Sequence, residues 1–302
     1  MSVLTLGESM ALLDPLEDGE LRLGMPLKLR FAGAESNFAI ALARLGIDVA
    51  WISRLGRDPF GDLILAAVAG EGVETRWVQR DDAPTGLFCK WRSGGLTHVT
   101  YRRAGSAASR MRVGDVPNEA LDGVEVVHLS GITMAISDTA RELVLDVARR
   151  AKERGATVVF DPNFRPALPD TPDAAAARQQ AVLEHVDWYL CGAGEAELLW
   201  PGGEIPVPAV IRVGARGAIV DGLEVPPPRT APVVDEVGAG DAFAAGFVYG
   251  LLQGWTPVEC AGAGNVIAAC ALAGTGDWET LPRFEDVRAD LVRTGESARS
   301  SL

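Results

Sequence analysis

Asp235-Glu236-Val237-Gly238-Ala239-Gly240-Asp241-Ala242-Phe243-Ala244-Ala245-Gly246-Phe247 decides how the rest of the chain is read. A glycine-rich turn runs straight into a small-residue helical pattern that carries an acid in its first turn. Gly238 and Gly240 open backbone angles closed to other residues, so the N–H groups of Gly238, Ala239 and Gly240 can point into one hollow at a helix N-terminus. Such a hollow suits an anion. Asp241 is welcome there as a cap but would repel a phosphate, which points to a proton-handling role in phosphoryl transfer. The plainer alternative is a glycine turn with an ordinary N-terminal aspartate.

Around this stretch, 302 residues with 48% hydrophobic content are enough for a large core in one domain. The net charge of −13 disfavours nucleic acid and anionic membranes, both of which call for clustered positive charge, and leaves small molecules as the expected partners. No apolar run reaches the roughly 20 residues of a membrane span, and Met1-Ser2-Val3-Leu4-Thr5-Leu6 lacks the layout of a signal peptide, so a cytoplasmic location is expected. Cys89, Cys191, Cys260 and Cys270 show neither close pairing nor zinc-ligand spacing with His98, His128 and His185. They read as structural thiols.

Strand-like runs alternate with helical patterns: Val49 to Leu55 then a helix from Asp58, Val124 to Ser130 then a helix from Asp138, Thr157 to Asp161 then a helix near Ala174. This order predicts an α/β fold, a doubly wound, mostly parallel sheet with helices on both faces. Thr139 and Glu142 have capping-box spacing, and Leu143, Val147 and Ala151 mark the buried stripe of the second helix. Ser130-Gly131, Asp161 to Arg165 and Cys191 to Glu195 each fall at the carboxyl end of a strand, where ligands of such sheets gather. Residues 15–31 and 85–103 break the alternation. Thr85 to Arg92 and Thr97 to Arg103 flank Ser93-Gly94-Gly95 as a hairpin, on which Tyr101 and Arg103 share a face. Asp221-Gly222 marks a second hairpin. Helices are expected over about 242–253 and 257–272, where Gly246 and Gly250 imply close backbone packing, and the tail after Thr294 is expected to fray.

In order along nearly the whole chain, several motifs resemble the ribokinase and phosphofructokinase-B family of sugar kinases. They are Ala32-Gly33-Ala34-Glu35-Ser36-Asn37, His128 to Thr133, Asp161-Pro162-Asn163-Phe164-Arg165, Gly214-Ala215-Arg216-Gly217 and the opening stretch. The resemblance implies a single ribokinase-like domain over 1–302, with a small β-sheet lid from about 15–31 and 85–103. It implies a sugar-binding turn at Gly33, Ala34 and Asn37. Asp241 would be the catalytic base beside an anion hole of Gly238, Ala239 and Gly240, and Gly214, Arg216, Gly217 and Asn265 would lie along the nucleotide. It implies ATP and Mg2+, with a monovalent cation as an open option, and a homo-oligomer, such as a dimer through the lid. Glu195 stands at the acidic position of the family's Asn-x-x-Glu motif and would help hold the metal, although Gly192 replaces the asparagine.

Only Lys28, Lys90 and Lys152 exist, none after a Gly-x-x-x-x-Gly turn, which excludes a P-loop kinase. Phosphate charge is then left to backbone N–H groups, magnesium and Arg216. The segment 201–208, with three prolines and two glycines, cannot hold the helix usual at this point in the family. Within the family the chain looks most like the 2-keto-3-deoxygluconate kinases, through Thr85-Gly86-Leu87-Phe88, Tyr101, Arg103, Gly105-Ser106-Ala107 and Arg165. Arg103 and Arg165 would fork onto a sugar carboxylate. The alternatives are a neutral-sugar kinase, fructokinase-like or ribokinase-like, and a catalytically silent sugar-binding protein. A nicotinamide enzyme lacks its early Gly-x-Gly-x-x-Gly.

Overall fold

The computed structural model describes residues 1–165, 171–202, 204–228 and 233–296. Its strands are β1 (Val3–Leu6), β2 (Met10–Pro15), β3 (Leu27–Ala32), β4 (Val49–Ile52), β5 (Arg54–Gly56), β6 (Gln79–Asp81), β7 (Leu87–Ser93), β8 (Leu96–Arg102), β9 (Val126–Ser130), β10 (Thr157–Asp161), β11 (Trp188–Gly192), β12 (Ala209–Arg212), β13 (Ala218–Val220) and β14 (Leu223–Val225). Its helices are α1 (Ala34–Arg44), α2 (Pro59–Gly70), α3 (Gly131–Ile136), α4 (Asp138–Glu153), α5 (Pro172–Leu183), α6 (Ala193–Leu199), α7 (Ala239–Leu252), α8 (Pro257–Leu272) and α9 (Phe284–Glu296).

The main sheet runs β14-β13-β12-β11-β10-β9-β1-β4, parallel from β12 to β4 and closed by the antiparallel pairs β12–β13 and β13–β14. β1, β4 and β9 are buried at every residue, as expected of parallel strands covered on both faces. One face packs on α1, α7 and α8 through Phe38, Phe243, Phe247 and Ile267. The other packs on α4 and α5 through Leu143, Val147 and Val182. The α/β, doubly wound reading therefore holds, and Asp221 (φ 50°) with Gly222 (φ 78°) makes the expected tight turn. Gly246 serves close packing: a Cβ there would lie 2.5 Å from the carbonyl oxygen of Ala263 on α8.

A second sheet, which holds the strands expected of a lid, runs β3-β2-β7-β8. The 87–102 hairpin is as expected, but half of the other lid region is displaced. β2 begins at Met10 and ends at Pro15, so that residues 16–26 are connection rather than strand. Buried Met10, Ala11 and Leu12 follow β1 after only Gly7-Glu8-Ser9, ahead of the range expected for the lid strands. α4 starts at Asp138 as expected, but its cap differs. Ser137 is its N-cap, accepting from the N–H of Ala140 at 3.1 Å, and Thr139 with Glu142 lies inside the helix. Between Trp200 and β12 no helix forms among the described residues. Ile205 and Val207 instead pack with Trp200 against the α4–α5 side, so a loop covers that part of the sheet. α9 continues to Glu296, and the tail beyond it lies outside the described residues. Among the described residues no helix is long and apolar enough to cross a membrane.

Candidate active site

The carboxyl ends of β1, β9, β10, β11 and β12 meet the N-terminus of α7 and the inner face of the lid around a cavity of about 500 Å³. Gly238 is the N-cap of α7, with φ 77° in the left-handed region. A Cβ at this glycine would also sit 2.2 Å from the carbonyl oxygen of Asp277, so both conformation and space demand glycine. Asp241 follows in the first turn and is buried. Its carboxylate accepts from Nδ2 of Asn37 on α1 at 2.9 Å and from Nδ2 of Asn163 at 3.4 Å. Burial pushes its pKa up to about 7, against the pull of the Asn37 bond and the Arg165 charge. Such a group can hold and release a proton near neutrality.

Gly33, in extended conformation before α1, lets the chain pass Glu8 closely: a Cβ would lie 2.4 Å from the Glu8 carbonyl oxygen. That approach brings Ala34 and Asn37 to the cavity wall. From the lid come Phe88 and Tyr101, stacked at 5.6 Å, and Arg103, whose Nη2 lies 2.6 Å from Oε2 of Glu8. Ser106 donates to the other oxygen of Glu8 at 2.5 Å. Arg165 is exposed and lines the same cavity. Lid cations and Asp241 thus face one space.

Glu195 also lines the cavity, and its oxygens already accept the N–H groups of Phe164 and Gly192, each at 2.8 Å. Burial and then Asp161 push its pKa up, while Arg212 opposes them. Arg212, at the end of β12, was not singled out by sequence, yet its guanidinium lies against Gly240 beside the Gly238 turn. Its Nη1 donates to Asp161 at 2.6 Å and to the Gly240 carbonyl at 3.4 Å, and its Nη2 reaches Glu195 at 3.4 Å. Burial disfavours its charge, but Asp161 and Glu195 hold the guanidinium firmly protonated. Gly240, unlike Gly238, lies inside α7 with no positive φ, so the expected need for special backbone angles holds at Gly238 alone, and the nearest atoms to a Cβ at Gly240 would be this guanidinium at 3.6 Å. Glu8 was likewise passed over, although its place just after β1 was a signal that sequence offered.

Other motif residues gather elsewhere. Gly214, Arg216 and Gly217 form the turn after β12, where Arg216 is largely exposed and pairs with Glu224 at 3.3 Å, outside the cavity. Asn265, on α8, donates to the Val225 carbonyl at 2.8 Å and sits against Gly217. His128 is buried, stacked on Phe38 at 4.0 Å and hydrogen-bonded to Thr5 at 3.0 Å. Burial lowers its pKa to about 4, which keeps it neutral and structural. Cys191 is buried and pushed up to about 12, which makes it inert as a nucleophile. Among the described residues no cluster of three or more His, Cys, Asp or Glu side chains could hold a metal.

The profile of the pfkB family carbohydrate kinases matches residues 1–283. A 2-dehydro-3-deoxygluconokinase of Bacillus subtilis (strain 168) is 34% identical, over 96% of this chain and 95% of its own. A 2-dehydro-3-deoxygalactonokinase of Haloferax volcanii is 32% identical over 98% of each. Among solved structures, the PfkB protein from Polaromonas sp. JS666 superposes with a TM-score of 0.83 at 36% identity, over 96% of this chain and 99% of that one.

Proposed function

We propose that this chain, which belongs to the pfkB family of carbohydrate kinases, phosphorylates 2-keto-3-deoxygluconate or its galactonate epimer at the 6-hydroxyl. Family membership makes it an ATP-dependent kinase of sugars or sugar acids, and the site supports this assignment of substrate class. The observation that carries the reading is Asp241, held by Asn37 and Asn163 at the anion turn and facing a cavity that Arg103 and Arg165 also line. Asp241 would take the proton of the attacking hydroxyl. The N–H groups at Gly238, Ala239 and Gly240, with Arg212 beside them, would meet charge on the transferred phosphoryl group.

Magnesium fits as a water-held ion near Glu195, because that carboxylate faces the cavity while its oxygens already take two backbone N–H groups. The ion would neutralise phosphate charge. A dimer through the lid is supported by the unpaired edges of β3 and β8 and by Leu27 and Leu29, exposed on β3. Light scattering behind size-exclusion chromatography tests that arrangement, and a monomer at working concentration would reject it.

One observation favours a neutral sugar as second reading: Glu8 already neutralises Arg103 at 2.6 Å. The deciding assay is magnesium-dependent ADP production with 2-keto-3-deoxygluconate, its galactonate epimer, gluconate, fructose and ribose. Selective turnover of the keto-deoxy acids upholds the proposal. Turnover confined to fructose or ribose replaces it with the second reading.

A further inference from the structure

Two lid cations reach the main body of the fold, Lys90 at the wall of the cavity of about 500 Å³ and Arg30 beside a neighbouring pocket that both residues line. Lys90, on β7, places Nζ 3.0 Å from Oδ2 of Asp235, with both side chains largely buried. Arg30, on β3, lies 2.6 Å from Oε1 of Glu279 and 3.1 Å from Oδ2 of Asp14, and it reaches the Thr275 carbonyl at 3.5 Å. The two carboxylates outside the lid, Asp235 and Glu279, and the Thr275 carbonyl belong to the segments that flank the Gly238 turn. Oδ1 of Asp235 takes the N–H of Val237 at 3.2 Å, just before Gly238. Between Thr275 and Glu279 lies Asp277, whose carbonyl oxygen faces Gly238 so closely that a Cβ there would come within 2.2 Å. The Asp277 carboxyl is pushed up to about 7 by burial, and Lys90 is the first charge opposing that rise. Lid and turn therefore share one contiguous set of contacts.

We propose that Lys90 and Arg30 are positioning residues that set lid placement and the geometry of the Gly238 turn together, through Asp235 and Glu279. An ion pair confined to the lid would hold only the substrate side of the cavity. These pairs end on the phosphate side, so loosening the lid loosens the N–H groups that would receive the phosphoryl charge. Part of the inference, its kinetic consequence, rests on the kinase reading above.

Hydrogen–deuterium exchange on the full-length protein without substrates tests the coupling directly. The wild type is compared with Lys90→Met, Lys90→Arg, Asp235→Asn, Glu279→Gln and the double variant Lys90→Met/Asp235→Asn. Asp235→Asn retains an oxygen for the Val237 N–H while removing the charge. Lys90→Met and Asp235→Asn should each speed exchange about fivefold to tenfold both in residues 87–102 and at the N–H groups of Ala239 and Ala242, with α4 unchanged. Lys90→Arg should restore most of the protection, Glu279→Gln should act in the same direction as Lys90→Met, and the double variant should add little to either single change. In turnover assays Lys90→Met should lower kcat as well as raise KM for the sugar.

Faster exchange in the lid alone would overturn the coupling, as would a uniform rise that includes α4. The two proposals also fail separately. Joint exchange without phosphorylation of any sugar in the panel removes the kinase substrate assignment and leaves the coupling, whereas an active enzyme with lid-only exchange does the reverse.

Discussion

Replacing Asp241 by asparagine should separate a catalytic loss from a stability gain, and burial sets the size of the gain. In the folded chain the carboxyl is raised from 3.8 to about 7 by burial. The unfolded chain keeps it near the ordinary aspartate value of about 3.9. Between those values the folded state holds a proton that the unfolded state has released, so stability falls as pH rises through the window. A displacement of roughly three pK units is worth about 4 kcal/mol, absent below pH ~4 and complete above pH ~7. The uncharged amide of Asp241→Asn has no such dependence and keeps an oxygen that can accept from Asn37. Urea unfolding of both proteins across about pH 4 to 9 should show the variant's advantage growing by about 4 kcal/mol, while turnover drops at least about a hundredfold. Parallel stability curves would refute the argument that Asp241 is held protonated by burial. Near-normal turnover would remove it as the base.

With Asp241 as base, kcat/KM should rise with pH through about 7, and Asn37→Ala, which removes the 2.9 Å donor, should move that limb upward by about one unit; an unmoved limb would place the proton acceptor elsewhere. Arg212→Met should lower kcat by about a hundredfold with partial recovery in Arg212→Lys, measured beside the unfolding midpoint because Asp161 and Glu195 lose a buried partner; unchanged kcat would leave Arg212 a structural counter-ion. Arg103→Met should raise KM for a sugar acid about tenfold or more and spare fructose, and equal losses on both would show that Arg103 only organises the lid through Glu8. Gly246→Ala should cost about 1–3 kcal/mol in chemical unfolding, since its Cβ would meet the Ala263 carbonyl at 2.5 Å; a variant as stable as its parent would show that α7 and α8 can part freely.

What could be read without coordinates was local or periodic. Doubly covered parallel strands require apolar runs, and Val126 to Leu129 and Thr157 to Phe160 carry that requirement in one dimension. The Gly238 turn was legible because its left-handed backbone demands glycine wherever the chain goes next, and the Asp221-Gly222 hairpin for the same reason. β2 was missed because nothing between Leu6 and Met10 reveals that the chain leaves one sheet for another. The start of α4 at Asp138 was legible, but its cap was misread, because two hydroxyls two residues apart offer equivalent caps until the backbone chooses one.

The sequence by itself determined the alternating α/β order, the glycine turn and the set of residue types available for phosphoryl transfer. Only the tertiary structure decided which of them meet. Asn37 reaches Asp241 across 204 positions, Lys90 reaches Asp235 across 145, and Arg212 finds Asp161 across 51. No local pattern encodes such pairs, because the partner of a buried charge is selected by how sheet, helices and lid close around it, and the same closure removes the water that would otherwise set its proton affinity.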